Sequence, residues 1–297
     1  MQAVIGKRTP TMVGIDPRWA SLPTSIKENR GSPLSADSVA EAYHQFGLAI
    51  LDTTADLVPA VKFQSAFFEA VGPAGVQVLW SLARHASSLG LVVVMDAKRG
   101  DIGSTADAYA EAYLAPLPGE TAPIADALTV NPFLGRETIE PFLKSARQHR
   151  TGVFVLVRTS NPGSADLQME VQGGQTISSR IGSWVEDWSA SSAGELGFGD
   201  VGAVVGATHR AELRTFRDAM PHTPILLPGY GAQGGSAADL RDAFDDRGLG
   251  AVVNNSRGII FAYQSEKHSA ESWKESVRDA TQAMIADLAR HTSAGNL

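Results

Sequence analysis

The sequence predicts an α/β fold, specifically a (β/α)8 TIM barrel that takes up residues 1–297 as a single domain. Short runs rich in Val, Leu and Ile recur about eight times, and the segments between them have helical spacing. The runs are continuously apolar rather than alternating, which is typical of parallel strands covered by helices on both faces. Eight strand–helix units fit a barrel of this length. A doubly wound open sheet is the alternative, because alternation alone does not distinguish a closed sheet from an open one.

The predicted strands can be placed in chain order from the apolar runs. They are 11–16, 57–64, 90–98, 126–132, 152–160, 201–208, 223–230 and 250–257. Helical spacing is clearest over 38–57 and 176–191, where the apolar side chains fall on one face. Residues 161–175 are rich in Gly, Ser and Gln, and we predict a long loop there that acts as a lid or binding loop.

Composition limits the class of protein. The chain is 43% hydrophobic and contains no cysteine, which excludes disulfides, thiolate metal sites and a cysteine nucleophile. A formal net charge of -7 argues against a general nucleic-acid surface and leaves room for a local basic pocket that binds a small anion. The N-terminus lacks the apolar segment of a signal peptide, and no apolar run approaches the roughly 18 residues that span a bilayer. We therefore expect a cytoplasmic protein that binds neither nucleic acid nor membrane.

The third predicted strand passes directly from apolar residues into full charges, in the stretch VVVMDAKRGDIGSTA. Residues two apart in a strand point to the same side, so Asp96 and Lys98 share a face with the valines before them. If those valines fill the barrel interior, the charges lie at its C-terminal mouth, where barrel enzymes carry out their chemistry. Asp101 follows one turn later. Two carboxylates beside Lys98 would favour its ammonium form, which suits a proton donor better than a Schiff-base nucleophile.

Two further strands bring charged residues to the same rim. Asp16 ends the first strand in VGIDP, and Lys62 lies at the matching end of the second in VPAVKFQ. The convergence of three successive strands on one rim predicts an active site. An ion-pair cluster that only closes the rim is the alternative, because such networks also occur without function.

The loops after the seventh and eighth strands predict an anion site. In PGYGAQGGSAADL the glycines let the backbone approach a ligand, and Ser236 with Asp239 has the pattern of a helix N-cap. Arg257 follows the eighth strand in NNSRGI, and a guanidinium can bind two phosphate oxygens at once. These two loops form the usual phosphate site of a TIM barrel.

Together these stretches resemble the orotidine 5'-phosphate decarboxylase family, specifically its longer bacterial (type 2) branch. The segment DAKRGDIGSTA resembles the family signature. The other matching stretches, between about residues 11 and 265, are GIDPR, VKFQ, TVNPFLG, VRTSNPGS, VGAVVGAT, LLPGYGAQGG and NNSRGI. The resemblance implies a carbon–carbon lyase that converts orotidine 5'-phosphate to UMP and CO2 in de novo pyrimidine biosynthesis, without a cofactor or metal.

The resemblance also implies roles for the charged residues of the rim. Lys98 would stabilise the carbanion at C6 of the pyrimidine and donate a proton to it, and Asp96 would lie near the departing carboxylate. Lys62 would bind the ribose and hold the charges together, and Asp16 would bind a ribose hydroxyl.

Further roles follow from the same resemblance. Family members form homodimers with shared active sites, in which Asp101, Ile102 and Thr105 would reach the neighbouring subunit's substrate. Ser160 would contact the pyrimidine amide, and Gln233 and Arg257 would bind the phosphate. The remaining implied substrate contacts are Pro228, Tyr230 and Gly231, with Tyr230 and Gly231 supplying backbone groups.

Two other interpretations remain open on the residues alone. The first is a Mg²⁺-dependent sugar-phosphate decarboxylase or aldolase with the same Asp-x-Lys-x-x-Asp core, which a chelator would inhibit. The second is a non-catalytic nucleotide-binding or sensor protein on the same scaffold, which would tolerate the loss of Lys98.

Overall fold

Eight parallel strands close into a barrel in this computed structural model, which describes residues 1–28, 34–207, 210–231, 235–265 and 272–297. Neighbouring strands follow chain order, and the eighth strand pairs back with the first. The predicted (β/α)8 barrel is therefore confirmed, and the open sheet is excluded. The barrel strands are β1 (Thr11–Ile15), β2 (Ala60–Gln64), β3 (Val92–Arg99), β4 (Ala127–Val130), β5 (Gly152–Arg158), β6 (Val201–Val205), β7 (Ile225–Pro228) and β8 (Ala251–Asn255).

Helices follow the strands and cover the outside of the barrel. The α-helices are α1 (Gln2–Lys7), α2 (Thr24–Lys27), α3 (Ala36–Thr54), α4 (Ser65–Glu69), α5 (Pro73–Ser88), α6 (Gly103–Leu114), α7 (Glu140–His149), α8 (Ala165–Gln168), α9 (Ile177–Ala190), α10 (Arg210–Ala219), α11 (Ala237–Leu240), α12 (Arg257–Ile260) and α13 (Trp273–His291). Short 3-10 helices span Trp19–Ser21, Arg136–Thr138, Pro162–Ser164, Arg241–Ala243, Ala262–Gln264 and Ser293–Asn296. None of the helices in the described ranges is long and apolar enough to cross a membrane.

The barrel interior is filled by the inward-facing side chains of the strands. Val92 and Val94 belong to this inner cluster, whereas Val93 and Met95 pack in the outer core between strands and helices. Val4 of α1 joins the inner cluster. The alternation of side chains predicted for β3 is confirmed. The polar residues that continue the inward-facing side of this strand lie beyond its apolar residues, at the barrel mouth.

The segment 161–175 is not the irregular loop that its composition predicts. It forms a 3-10 helix, helix α8 and a two-stranded hairpin in which Val171–Gln172 pairs with Gln175–Thr176. Local polar contacts explain why this segment has a regular structure. The buried Arg158 at the end of β5 donates to Ser164 Oγ over 2.5 Å, and Gln168 bonds both the backbone N–H and the hydroxyl of Thr159. Side chains of this segment line a cavity at the barrel mouth.

Helix α9 is present where the sequence predicts it, but its apolar face is divided between two environments. Val185 and Trp188 are buried in the core. Ile177, Ile181 and Trp184 line the cavity at the barrel mouth. Part of the predicted core face of α9 is therefore a wall of the candidate site.

Candidate active site

A cavity of about 780 Å³ lies at the C-terminal ends of the barrel strands. Its wall combines charged and polar residues of the strands with apolar residues of α9 and of the segment after β5. As predicted, charged side chains from the ends of successive strands lie together in the wall of this cavity. The predicted site residues that line this cavity are Asp16, Lys62, Asp96, Lys98, Ser160, Pro228, Tyr230 and Arg257.

The centre of the site is an Asp96 carboxylate held between two lysines. Lys62 Nζ lies 2.8 Å from Asp96 Oδ2, and Lys98 Nζ lies 2.5 Å from Asp96 Oδ1. Lys62 is almost fully buried, whereas the Lys98 side chain is 44% exposed toward the cavity. The Lys98 ammonium is therefore held at a fixed place on the wall while remaining accessible to a ligand.

Charge pairing sets the protonation of this cluster. Burial raises the pKa of Asp96, but Lys62 and Lys98 outweigh burial and hold that pKa well below its usual range. Burial lowers the pKa of Lys62, but the carboxylates of Asp96 and Asp16 outweigh it and raise the pKa above its ordinary value. Asp96 is consequently an anion and Lys62 a cation at neutral pH.

Two side-chain oxygens of cavity-lining residues make no hydrogen bond within the described part of the chain. Asp16 follows β1 directly, and its Oδ1 is 3.9 Å from Lys62 Nζ, beyond hydrogen-bond distance. Both Asp16 Oδ1 and Asn254 Oδ1 are buried without a hydrogen bond. A Cβ on Gly14 would lie 1.9 Å from Ser256 Oγ and 2.9 Å from Asn254 Oδ1, so glycine is required there for β8 to approach β1. The residues Asp16 and Asn254 both line the cavity, and a carboxylate or amide oxygen can accept from a ligand hydroxyl.

Arg257 supplies positive charge on the β8 side of the cavity. It is the first residue of α12, and its side chain is exposed. Among the described residues, no carboxylate lies within ion-pair distance of its guanidinium, which is therefore free to bind an anion. The predicted position of the basic residue, after the eighth strand, is correct.

The glycine-rich loop after β7 only partly matches its prediction. The predicted N-cap pattern is confirmed, since Ser236 and Asp239 form a capping box at the start of α11. The Gly231 N–H donates to Gly235 O over 2.8 Å, and the backbone contacts that the resemblance implies for Tyr230 and Gly231 stay a prediction. Tyr230 lines the cavity, but its hydroxyl donates to Asp287 Oδ2 of α13 over 2.6 Å. Gln233 lies outside the described residues.

Ser160 lies in the cavity wall just after β5. A Cβ on Gly206 would come within 3.0 Å of Ser160 backbone atoms and 2.8 Å of its Cβ. The glycine after β6 therefore lets the Ser160 backbone pack closely against the neighbouring strand end.

Asp101, Ile102 and Thr105 lie away from the cavity of their own chain, at the start of α6. Asp101 Oδ1 accepts from the Ile102 backbone N–H over 2.8 Å, and Ile102 is 63% exposed. The expectation that two carboxylates flank Lys98 within one chain is therefore wrong. Of the carboxylates that the structure describes, Asp96 is the one within ion-pair distance of Lys98 Nζ.

No three His, Cys, Asp or Glu side chains in the described part of the chain form a group that could hold a metal ion. The charged residues in the cavity wall are the lysines Lys62 and Lys98, the arginines Arg180 and Arg257, and the aspartates Asp16 and Asp96. Lys62 and Lys98 pair with Asp96, and Arg180 donates to Gln172 Oε1.

Comparison with known proteins identifies the family. The profile of the orotidine 5'-phosphate decarboxylase / HUMPS family matches residues 13–272. The chain is 47% identical over 291 residues to an orotidine 5'-phosphate decarboxylase from Rhodopirellula baltica, with 96% of each chain covered. An enzyme of the same name from Deinococcus radiodurans is 43% identical, with 94% of this chain and 93% of the relative covered. This chain belongs to the orotidine 5'-phosphate decarboxylase / HUMPS family.

Solved structures agree with that assignment. A Streptomyces avermitilis protein assigned as an orotidine 5'-phosphate decarboxylase superposes with a TM-score of 0.80 at 35% identity, covering 98% of this chain and 94% of its own. The Leishmania donovani OMP decarboxylase superposes with a TM-score of 0.74 at 27% identity, covering 98% and 97%. The family predicted from the motifs is confirmed, and so is the enzyme class, since these relatives are named as decarboxylases, which are carboxy-lyases.

Several polar residues of this decarboxylase-family cavity were not assigned a role from the sequence. Gln64 lies two residues after Lys62 and also faces the cavity, so strand alternation would have found it. Thr129 lies in β4 and Asn131 directly follows it, both within TVNPFLG, and Asn254 lies in NNSRGI. These stretches carried the family resemblance, but nothing local in the sequence distinguishes a cavity-facing Thr or Asn from one that caps a strand.

Proposed function

We propose that this chain is an orotidine 5'-phosphate decarboxylase that converts orotidine 5'-phosphate to UMP and CO2 in pyrimidine biosynthesis, a role consistent with a cytoplasmic location. The observation that carries the proposal is the Lys98 ammonium, fixed 2.5 Å from Asp96 on the wall of a cavity that also presents Arg257. The cavity therefore combines a fixed cation for developing charge with a separate cation for a phosphate.

The reaction needs a positive charge at one ring atom. When the C6–carboxylate bond breaks, CO2 leaves and the electron pair remains on C6 in an sp2 orbital outside the π system. No conjugated group accepts it. A preorganised ammonium stabilises this charge because it needs no reorganisation when the bond breaks. Lys98 then transfers one N–H proton to C6, which completes UMP.

Asp96 and Lys62 fix that ammonium. Asp96 bonds Lys98 through Oδ1 and Lys62 through Oδ2, so the carboxylate has little freedom to rotate. In this arrangement Asp96 lies next to the departing carboxylate, and Lys62 with Asp16 binds the ribose hydroxyls. The position of Asp16 in the cavity wall beside Lys62 supports that role, because its carboxylate can accept from a hydroxyl donor.

Binding of the phosphate contributes to the barrier reduction at C6. Arg257 and Gln233 hold the phosphate, while Pro228, Tyr230 and Gly231 shape the loop beside it, and Ser160 contacts the pyrimidine amide. Binding energy at the phosphate orients the base against Lys98, which raises the rate although no phosphate bond reacts.

A second subunit completes the site in this proposal. Asp101, Ile102 and Thr105 do not line their own cavity, and the exposed Ile102 is an apolar side chain with no core contact. Phe133, after β4, is 72% exposed. We assign these exposed groups to a homodimer in which Asp101, Ile102 and Thr105 reach the substrate bound by the partner.

Loss of orotidylate absorbance on adding purified protein tests the activity. The assay is run with and without a chelator, and Lys98→Ala protein serves as the control for contaminating enzyme. We expect the same rate in both conditions. Absence of turnover would refute the proposal, and turnover that the chelator abolishes would favour the Mg²⁺-dependent class.

A further inference from the structure

The hydrogen-bond ladder between β3 and β4 is interrupted beside the lysine pair. Met95 pairs with Leu128, and the next paired position joins Arg99 to Val130. Three residues of β3, from Asp96 to Lys98, therefore lie opposite the single residue Thr129 of β4. Such a bulge leaves backbone groups without their regular partners and redirects side chains.

Thr129 replaces the missing ladder contacts with its side chain. Its Oγ1 accepts a hydrogen bond from the Lys98 backbone N–H over 2.9 Å. The same hydroxyl donates to Asp96 Oδ1 over 2.9 Å, the oxygen that also accepts from Lys98 Nζ. Thr129 is only 1% exposed, so water does not compete for these bonds. One buried hydroxyl thus connects the lysine backbone to the carboxylate that holds the lysine side chain.

The backbone at Lys98 is in a conformation that needs such support. Its φ is +48°, in the left-handed region that a residue with a long side chain rarely adopts. Strained backbone of this kind persists only where neighbouring contacts hold it, and it is concentrated at functional sites. Beyond the bulge, the Asn131 N–H donates to Arg99 O over 2.8 Å, so Thr129 and Asn131 hold the chain on both sides of the left-handed turn.

We propose that Thr129 is a positioning residue for the proton-donating ammonium, an inference that rests on the proposed function. Its hydroxyl hydrogen is committed to Asp96, which leaves a lone pair directed at the Lys98 N–H. Without the hydroxyl, a buried N–H loses its partner and the Asp96 carboxylate loses one of the bonds that orient it. The lysine would then be displaced from the atom it protonates, while the ribose and phosphate contacts remain.

Thr129→Val tests the proposal, because valine keeps the shape and removes the hydroxyl. We expect kcat to fall by about 10- to 100-fold, since a misplacement of about 1 Å at a reacting group costs on that order. We expect KM and the affinity for UMP to stay at the parental values. Thr129→Ser, which keeps the hydroxyl, should restore turnover. A Thr129→Val enzyme with parental kcat would overturn the inference.

A matched control separates positioning from a general loss of stability. Thr54→Val removes a buried hydroxyl that bonds only its own helix carbonyl, at the end of α3. It should lower thermal stability without lowering kcat. If Thr54→Val reduces kcat as much as Thr129→Val does, the effect is structural and the proposal is wrong. If Thr129→Val does not fold, Thr129→Ala and Thr129→Ser provide the same comparison.

Amide hydrogen exchange at Lys98 gives a readout that does not depend on the reaction. We expect faster exchange of the Lys98 amide in Thr129→Val than in the parent, because its acceptor is gone. Unchanged exchange would contradict the inference. This result decides the role of Thr129 even if the parent enzyme fails to decarboxylate orotidylate, a failure that would refute the proposed function separately.

Discussion

Lys62 and Asp96 form an enclosed ion pair across β2 and β3, with 2.8 Å between Nζ and Oδ2 and side chains that are 5% and 11% exposed. Breaking such a pair from one side leaves an uncompensated buried charge. We expect Asp96→Asn to lower the free energy of unfolding by about 3–5 kcal/mol, measured by urea denaturation at neutral pH. The double variant Lys62→Met, Asp96→Asn should recover part of that loss. An Asp96→Asn protein as stable as the parent would contradict the pairing.

The same pair predicts a specific dependence of stability on pH. The folded-state pKa of Asp96 lies below its ordinary value of 3.8, so its contribution is complete above pH 3.8 and declines as the pH falls through the lower folded value. The pKa of Lys62 is raised above 10.5, so its contribution is complete below pH 10.5 and is lost only as the pH rises through the raised value. Unfolding curves of the parent and the double variant should therefore differ by a constant free energy between these limits. A difference that disappears near neutral pH would refute this account.

Lys98→Ala removes the proposed proton donor. We expect turnover to be abolished while the variant still binds UMP, because Arg257, Asp16 and Lys62 remain in place. Isothermal titration with UMP measures binding, and the absorbance assay measures turnover. Activity retained by Lys98→Ala would show that another group protonates C6.

Arg257→Ala removes the free guanidinium on the β8 side of the cavity. A hydrogen bond to a charged group contributes about 1.5–3 kcal/mol, so UMP affinity should fall on the order of 10- to 100-fold. Uridine, which lacks the phosphate, provides the control ligand and should bind parent and variant equally. An equal loss of affinity for uridine and UMP would mean that Arg257 does not bind the phosphate.

Mixing two inactive variants tests the shared site. Asp101→Ala and Lys98→Ala chains, unfolded together and refolded, form hybrid dimers in which one of the two sites has both residues. Random pairing predicts recovery of about one quarter of parental activity, since half the dimers are hybrids with one intact site. Each variant refolded alone is the control. A mixture as inactive as its components would refute subunit sharing.

Sequence predictions that depend on local periodicity are confirmed by the structure, whereas one that depends on a turn of the backbone is not. The eight apolar runs, the side-chain alternation in β3 and the rim positions of Asp16, Lys62 and Asp96 depend on strand periodicity, which is local, and all are found in the structure. Arg257 was placed correctly because loops after strands 7 and 8 meet in every closed barrel. The expectation that Asp101 lies beside Lys98 in the same chain was wrong, because it depends on the local turn of the backbone after β3.

By itself, the sequence determined the strand–helix alternation, the charged strand ends and the family resemblance, since periodicity and ordered motifs need no knowledge of which distant segments meet. Only the tertiary structure decided that the sheet closes, that Thr129 lies opposite a bulge in β3 and that Ile181 and Trp184 of α9 line the cavity. The physical reason is that a hydrogen bond or a cavity wall requires atoms to meet within a few ångströms. For residues far apart along the chain, that proximity is set by the register and packing of the whole barrel.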